Sequence, residues 1–277
     1  MAWTCPTCAE SVETPYCPVC GERPILAREL TLRGLLRQFA NAVSSVDGRV
    51  VRTLRTLIAR PGVLTVAWVE GPRKPYVGPI QLFLLANVVF VAVQSLTGAN
   101  IFSSTLSSHL HQQDWSPLAE RLVAARLAKG PTTLQAYEIE FSRAVALYAK
   151  SLVIVMTVPF ALLVQAIPFP RRRPFALQMV FALHVYAFLL LLYGAAIVVS
   201  AVEGKLGGAG LDSGILDKIL TALIVSASAF YLFVAVSRVY GAAGAARVVA
   251  SLGLAIAVLA ITLAYRFGLL VLTLRVT

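Results

Sequence analysis

The most specific chemistry in the chain sits at its start, where all four cysteines occur as Cys5-Pro6-Thr7-Cys8 and Cys17-Pro18-Val19-Cys20. Two C-x-x-C pairs with eight residues between them have the spacing of the two knuckles of a zinc ribbon, and four thiolates make the tetrahedral all-sulfur shell that Zn(II) accepts. The proline after the first cysteine of each pair, and Gly21 after the last cysteine, suit the tight turn that points backbone N–H groups at the sulfurs. We therefore expect Cys5, Cys8, Cys17 and Cys20 to hold one structural Zn(II) per chain, in a head covering residues 1–24. A complete four-thiolate shell leaves no position for a reacting water, so the metal would be structural and not catalytic. Thioredoxin-type redox chemistry fits less well, because the flanks carry no βαβ pattern and the motif occurs twice. Structural disulfides would require an oxidising compartment. So short a segment buries too little apolar surface to fold unaided, which makes the head metal-dependent.

Elsewhere, polar chemistry is sparse. His109-x-His111 with Asp114 resembles part of a metal or hydrolase site, although two histidines and a carboxylate in a polar segment are ordinarily just solvated. Within the apolar runs the main polar side chains are Asn87, Gln94, Gln165, Gln178 and His184. Asn87, Gln165 and His184 form the candidate intramembrane polar site, with His184 the leading ionisable group. The plainer role for His184 is a neutral ring bonded to a neighbouring helix. No carboxylate lies deep in a span, since Asp217 falls near the end of one, and this weakens a proton relay. No nucleophile elbow, zincin or P-loop spacing occurs, so no residue is assigned as catalytic.

The elements that must position these groups follow from composition. The chain has 277 residues, 58% hydrophobic and only 13% charged, with mean hydropathy +0.79. Soluble domains carry roughly 25% charged residues, so a soluble globular enzyme and a disordered chain are both excluded. Apolar runs at about 78–97, 146–167, 176–202, 215–236 and 248–274 each reach the ~20 residues needed to cross a bilayer. Pro159 should kink the second, and Tyr265-Arg266 interrupts the fifth, which leaves open whether that run crosses fully. The fold class expected is an all-α membrane protein with about five transmembrane helices, preceded by the ribbon and by basic amphipathic helices. Its domains are 1–24, a juxtamembrane segment at 25–76, and a transmembrane domain at 77–277 with an outer segment at about 98–145. In that outer segment Ser116-Pro117 reads as a helix start and Thr132 to Gln135 as a capping box. No repeat of solenoid or inverted-transporter period is visible.

The net charge of +11 raises nucleic acid or an anionic membrane surface as partners, and the positions of the cations favour the second. Of 24 Lys and Arg, ten precede the first span, and Arg171-Arg172-Arg173, Arg238 and Arg247 fall on the same side of the expected topology. The bias predicts a cytoplasmic N-terminus. The start Met1-Ala2-Trp3-Thr4-Cys5 reads as lacking a cleavable signal peptide. On a helical wheel Val50, Val51, Leu54, Leu57 and Ile58 share one arc, while Arg49, Arg52, Arg55 and Arg60 occupy the other. Leu32, Leu35, Leu36, Phe39 and Val43 separate likewise from Arg33 and Arg37. Such helices either lie in the headgroup interface or pack their apolar stripes on one another or on the spans. Few aromatics interleave with the cations, which argues against nucleic acid.

The ordered string of a two-knuckle head, Thr53-Leu54-x-x-Leu57-x-x-Arg60-Pro61-Gly62, then Gly71-x-Arg73-Lys74-x-Tyr76-x-x-Pro79, resembles a family of bacterial membrane proteins, domain of unknown function thirty-six sixty-seven. The resemblance covers residues 1 to about 90 well and the rest through hydropathy alone. It implies placement in a bacterial inner membrane and a role for Arg60 to Pro79 where the chain enters the bilayer, and it brings no activity. Physically, Pro61, Pro72, Pro75 and Pro79 would stiffen an elbow whose Arg73 and Lys74 meet phosphates and whose Tyr76 sits at headgroup depth.

These residues favour a non-enzymatic scaffold in which the zinc ribbon docks a cytoplasmic partner protein. The alternatives are a transporter or channel component built around His184, Gln165 and Asn87, and a lipid-modifying enzyme built from His109, His111 and Asp114.

Overall fold

The computed structural model describes residues 3–5, 9–19, 48–70, 75–98, 105–111, 113, 115–128, 133–208 and 214–277. The chain divides into two compact units, Met1–Val51 and Arg52–Thr277. In the first, β1 (Trp3–Thr4) pairs antiparallel with β2 (Ser11–Val12), Trp3 opposite Val12 and Thr4 opposite Ser11. The expected helix around Leu32 to Val43 lies outside the described residues.

Residues 48–59 form a helix, α1, which ends at the Arg60-Pro61-Gly62 stop expected from the sequence. There the chain turns through Gly62 at φ +83 into α2 (Val63–Glu70). Among the described residues, four helices are long and apolar enough to cross a membrane: α3 (Pro79–Thr97), α8 (Phe175–Lys205), α9 (Gly214–Tyr240) and α10 (Gly244–Val276). A bent pair raises the count to five. Between α3 and that pair lie α4 (Leu106–His111) and α5 (Ser116–Leu127), the latter starting at Ser116-Pro117 as expected.

The second apolar run is broken where the sequence predicts a single kinked span. It belongs to α6 (Leu134–Ser151), a 3-10 turn at Val153–Met156, and α7 (Thr157–Ala166), with a bend of 58° between the two halves. Pro159 explains the position of the break. Its ring cannot accept the carbonyl of Val155 within a continuous helix, so regular structure restarts at Thr157, where Pro159 lies in a first turn that needs no N–H. The Tyr265 hydroxyl donates to the Ala149 carbonyl at 3.0 Å, supplying a partner where the ladder ends. The N-cap of α6 is Thr133, whose Oγ1 accepts from Ala136 N at 3.4 Å, one residue beyond the expected capping box.

The fifth run is continuous through Tyr265-Arg266. At 33 residues α10 is about 50 Å long, more than a bilayer core requires. It starts three residues after Gly241, whose neighbour is the Arg171 side chain, and ends where the Arg126 guanidinium of α5 donates to the Thr277 carbonyl. The Tyr137 hydroxyl of α6 meets Thr277 Oγ1 there at 2.7 Å. The last helix thus joins the end holding the 168–174 turn to the end holding the α4–α5 segment.

Candidate functional site

In the head, two backbone hydrogen bonds at Cys5 continue the β1–β2 pairing. Cys5 N donates to the Glu10 carbonyl at 2.9 Å and Ala9 N donates to the Cys5 carbonyl at 2.8 Å. Ala9, the residue after Cys8, is left-handed at φ +58, a conformation that costs a non-glycine residue energy and persists only where its surroundings impose it. In the sequence Gly21 follows Cys20 as Ala9 follows Cys8. Cys5 and Cys17 are 1% and 2% exposed and share one small cluster with Val12, against which Trp3 packs. The first cysteine of each pair is therefore buried in the same place, as a common thiolate centre requires. Cys8 and Cys20 lie outside the described residues. Among the described residues no three His, Cys, Asp or Glu side chains group as metal ligands.

From Arg52 onward the segment read as juxtamembrane is built into the helical unit. Leu57 and Leu64 are buried in the main core, and Leu54 packs against it. Thr53 is fully buried and its Oγ1 accepts from Val77 N at 3.0 Å, tying α1 to the start of α3. The wheel that the apolar residues alone suggest is turned relative to the one observed. Thr53 and Thr56 are buried, while Val51 and Ile58 are 61% and 57% exposed. Arg49, Arg52, Arg55 and Arg60 are all exposed. An exposed face that mixes isoleucine with arginine has the composition suited to the boundary between acyl chains and headgroups. Arg73 and Lys74 lie outside the described residues, whereas Tyr76 is half-buried against the core and Pro79 begins α3.

The turn at Pro61-Gly62 is a close approach of two backbones. A Cβ on Gly62 would stand 3.2 Å from both Cα and O of Ala235 on α9. Arg238, one turn further along α9, donates to the Pro61 carbonyl at 2.6 Å. One residue of α2, Thr65, then reaches across to α8 and shares a 2.8 Å hydrogen bond with His184 Nδ1, both groups being buried. The sequence pattern leaves His184 without this partner, because α2 does not stand out in it. The apolar run Val63-Leu64-Thr65-Val66-Ala67-Trp68 between the glycine turn and the elbow is the available signal.

The three intramembrane candidates have separate surroundings. His184 bonds to Thr65, Asn87 is half-buried on α3, and Gln165 is exposed at the end of α7. Gln165 borders a pocket formed with the 168–173 turn, and neither Asn87 nor His184 lines it. Gln178 is buried near the start of α8, where its Oε1 accepts from the Tyr240 hydroxyl and its Nε2 donates to the Arg173 carbonyl at 3.3 Å.

His109 and His111 also part company. His109 is buried against Trp115 and Phe141, and Trp115 Nε1 donates to its Nδ1 at 3.2 Å. His111, two positions further on the same short helix, is exposed. Burial, with a smaller contribution from the Arg266 guanidinium, pushes the His109 pKa down to about 4, so its ring is neutral near pH 7. A neutral ring accepting at Nδ1 carries its proton on Nε2. Asp114 lies outside the described residues.

Residues 47–91 match the family model described as protein of unknown function (DUF3667), so the resemblance read from Thr53 to Pro79 stands over that stretch. No curated protein matches the chain. No solved structure matches it either.

Proposed function

We propose that the chain is a non-enzymatic, multi-pass protein of a bacterial inner membrane, N-terminus cytoplasmic, whose zinc ribbon docks a cytoplasmic partner protein. The observation that carries this reading is the burial of Cys5 and Cys17 in one cluster beside the left-handed Ala9. With Cys8 and Cys20 the donor set is four thiolates, which as a closed shell supplies folding energy and a rigid surface instead of a reacting water. The polar groups further along the chain serve packing: His184 is bonded by Thr65, Gln178 by Tyr240, and His109 by Trp115. The exposed Arg49, Arg52, Arg55 and Arg60, with Arg73 and Lys74, would hold this end against anionic headgroups, each cation near such a surface contributing about 1 kcal/mol.

In-cell crosslinking and affinity purification of wild type beside Cys5→Ser/Cys8→Ser tests the docking. We expect a partner set present with wild type and lost with the variant at equal membrane abundance. Identical partner sets would remove the role assigned to the ribbon.

A further inference from the structure

At the end of the bundle where α7 stops and α8 starts, a pocket of about 200 Å³ opens among Gln165, Phe169, Arg171, Arg172, Arg173 and Gln178. Three of its lining residues are arginines and none is acidic. The walls are fixed from behind by a single residue of α9. Phe169 stacks on the Tyr240 ring at 4.3 Å, Arg171 N donates to the Tyr240 carbonyl at 3.1 Å, and the Tyr240 hydroxyl donates to Gln178. Gly241, at φ +70, leaves room for Arg171, whose Nε would lie 3.2 Å from a Cβ placed there. The turn is therefore a built cavity and not a solvated charge run.

We propose that this pocket binds a phosphate group, most directly the headgroup phosphate of an anionic phospholipid. Guanidinium forks match phosphate oxygens in pairs, and a turn whose backbone is already held brings three of them to one place. Arg173 Nε supplies an independent reason: it is buried and makes no hydrogen bond to any described residue. A buried donor left unmet is costly, and the residue that carries it is part of the pocket lining. Arg171 and Arg172 are exposed while Gln178 is buried, so the pocket runs from the surface inward. Its rim is made by the ends of two apolar helices, which is headgroup depth. The inference is independent of the ribbon.

The test uses the full chain in phosphatidylcholine nanodiscs, titrated with short-chain phosphatidic acid in one arm and inorganic phosphate in the other. We expect saturable binding at one site, weakened roughly tenfold by Arg173→Gln and by Gln165→Leu, and weakened as salt is raised. Gln165→Leu keeps every charge, so it separates a shaped pocket from general basicity and does not disturb the topology signal. Saturable binding in the lipid arm supports the headgroup source. Binding in the phosphate arm alone keeps the phosphate site and assigns it to a soluble phosphate. Non-saturable binding, or wild-type affinity in Gln165→Leu and Arg173→Gln, would overturn the pocket.

Discussion

His184 shows how a polar residue in an apolar helix is resolved by its partner. Its bond to Thr65 joins α2 to α8, and removing one member leaves the other buried with a lost bond. Thr65→Val should therefore lower stability by about 0.5–1.5 kcal/mol, the range for polar pairs in membrane proteins, in a reversible detergent unfolding titration. His109 carries a pH-dependent contribution. Its folded pKa of about 4 lies below the ordinary 6.5, so between these values the unfolded chain binds more protons. The contribution is complete above about pH 6.5 and is lost as pH falls toward 4. The melting temperature of wild type should drop over that window more than that of His109→Gln. Equal slopes would show that the ring does not titrate differently in the folded protein. At this scale the sequence was legible for a His184 bonded to another helix, and illegible for the difference between His109 and His111. Those two differ only in which side of a short helix meets Trp115 and Phe141, and spacing alone carries no information about that.

Elements were legible where proline and glycine punctuate the chain. The stop at Arg60-Pro61-Gly62, the start of α5 at Ser116-Pro117 and the start of α3 at Pro79 follow from fixed φ and missing donors. What escaped was tertiary. The wheel for α1 ranks valine and isoleucine above threonine, yet Thr53 is buried because its hydroxyl satisfies Val77 N, a partner 24 residues away. Likewise Pro159 announces a distortion, but neither its size, a 58° break, nor the Tyr265 hydroxyl of α10 that meets the Ala149 carbonyl beside it can be read from the local sequence. Gly62 gives the sharpest test at this scale. Both its left-handed backbone and its contact with Ala235 oppose a side chain, so Gly62→Ala should destabilise by about 1–3 kcal/mol. A change below roughly 0.5 kcal/mol, the scatter of neutral surface substitutions, would show that the α2–α9 approach relaxes freely.

For the whole molecule, composition dictated a helical membrane protein, and the helices long enough to span number four, or five with the bent pair, among the described residues. The positions of the cations made more sense than their sum. Arg238 donates to the Pro61 carbonyl, and Arg247 donates to the Phe233 carbonyl at 2.7 Å while lying over its ring at 3.6 Å. Part of the +11 charge thus fastens one end of the bundle, whereas the arginines of α1 are exposed. The function proposed above turns on a closed four-thiolate site at the chain's start. It is tested most directly by elemental analysis of zinc on the intact protein purified under reducing conditions, with Cys17→Ser/Cys20→Ser alongside. Close to one zinc per chain is expected in wild type, and its loss in the variant. Substantially less than one in wild type, or the same content in both proteins, would contradict it.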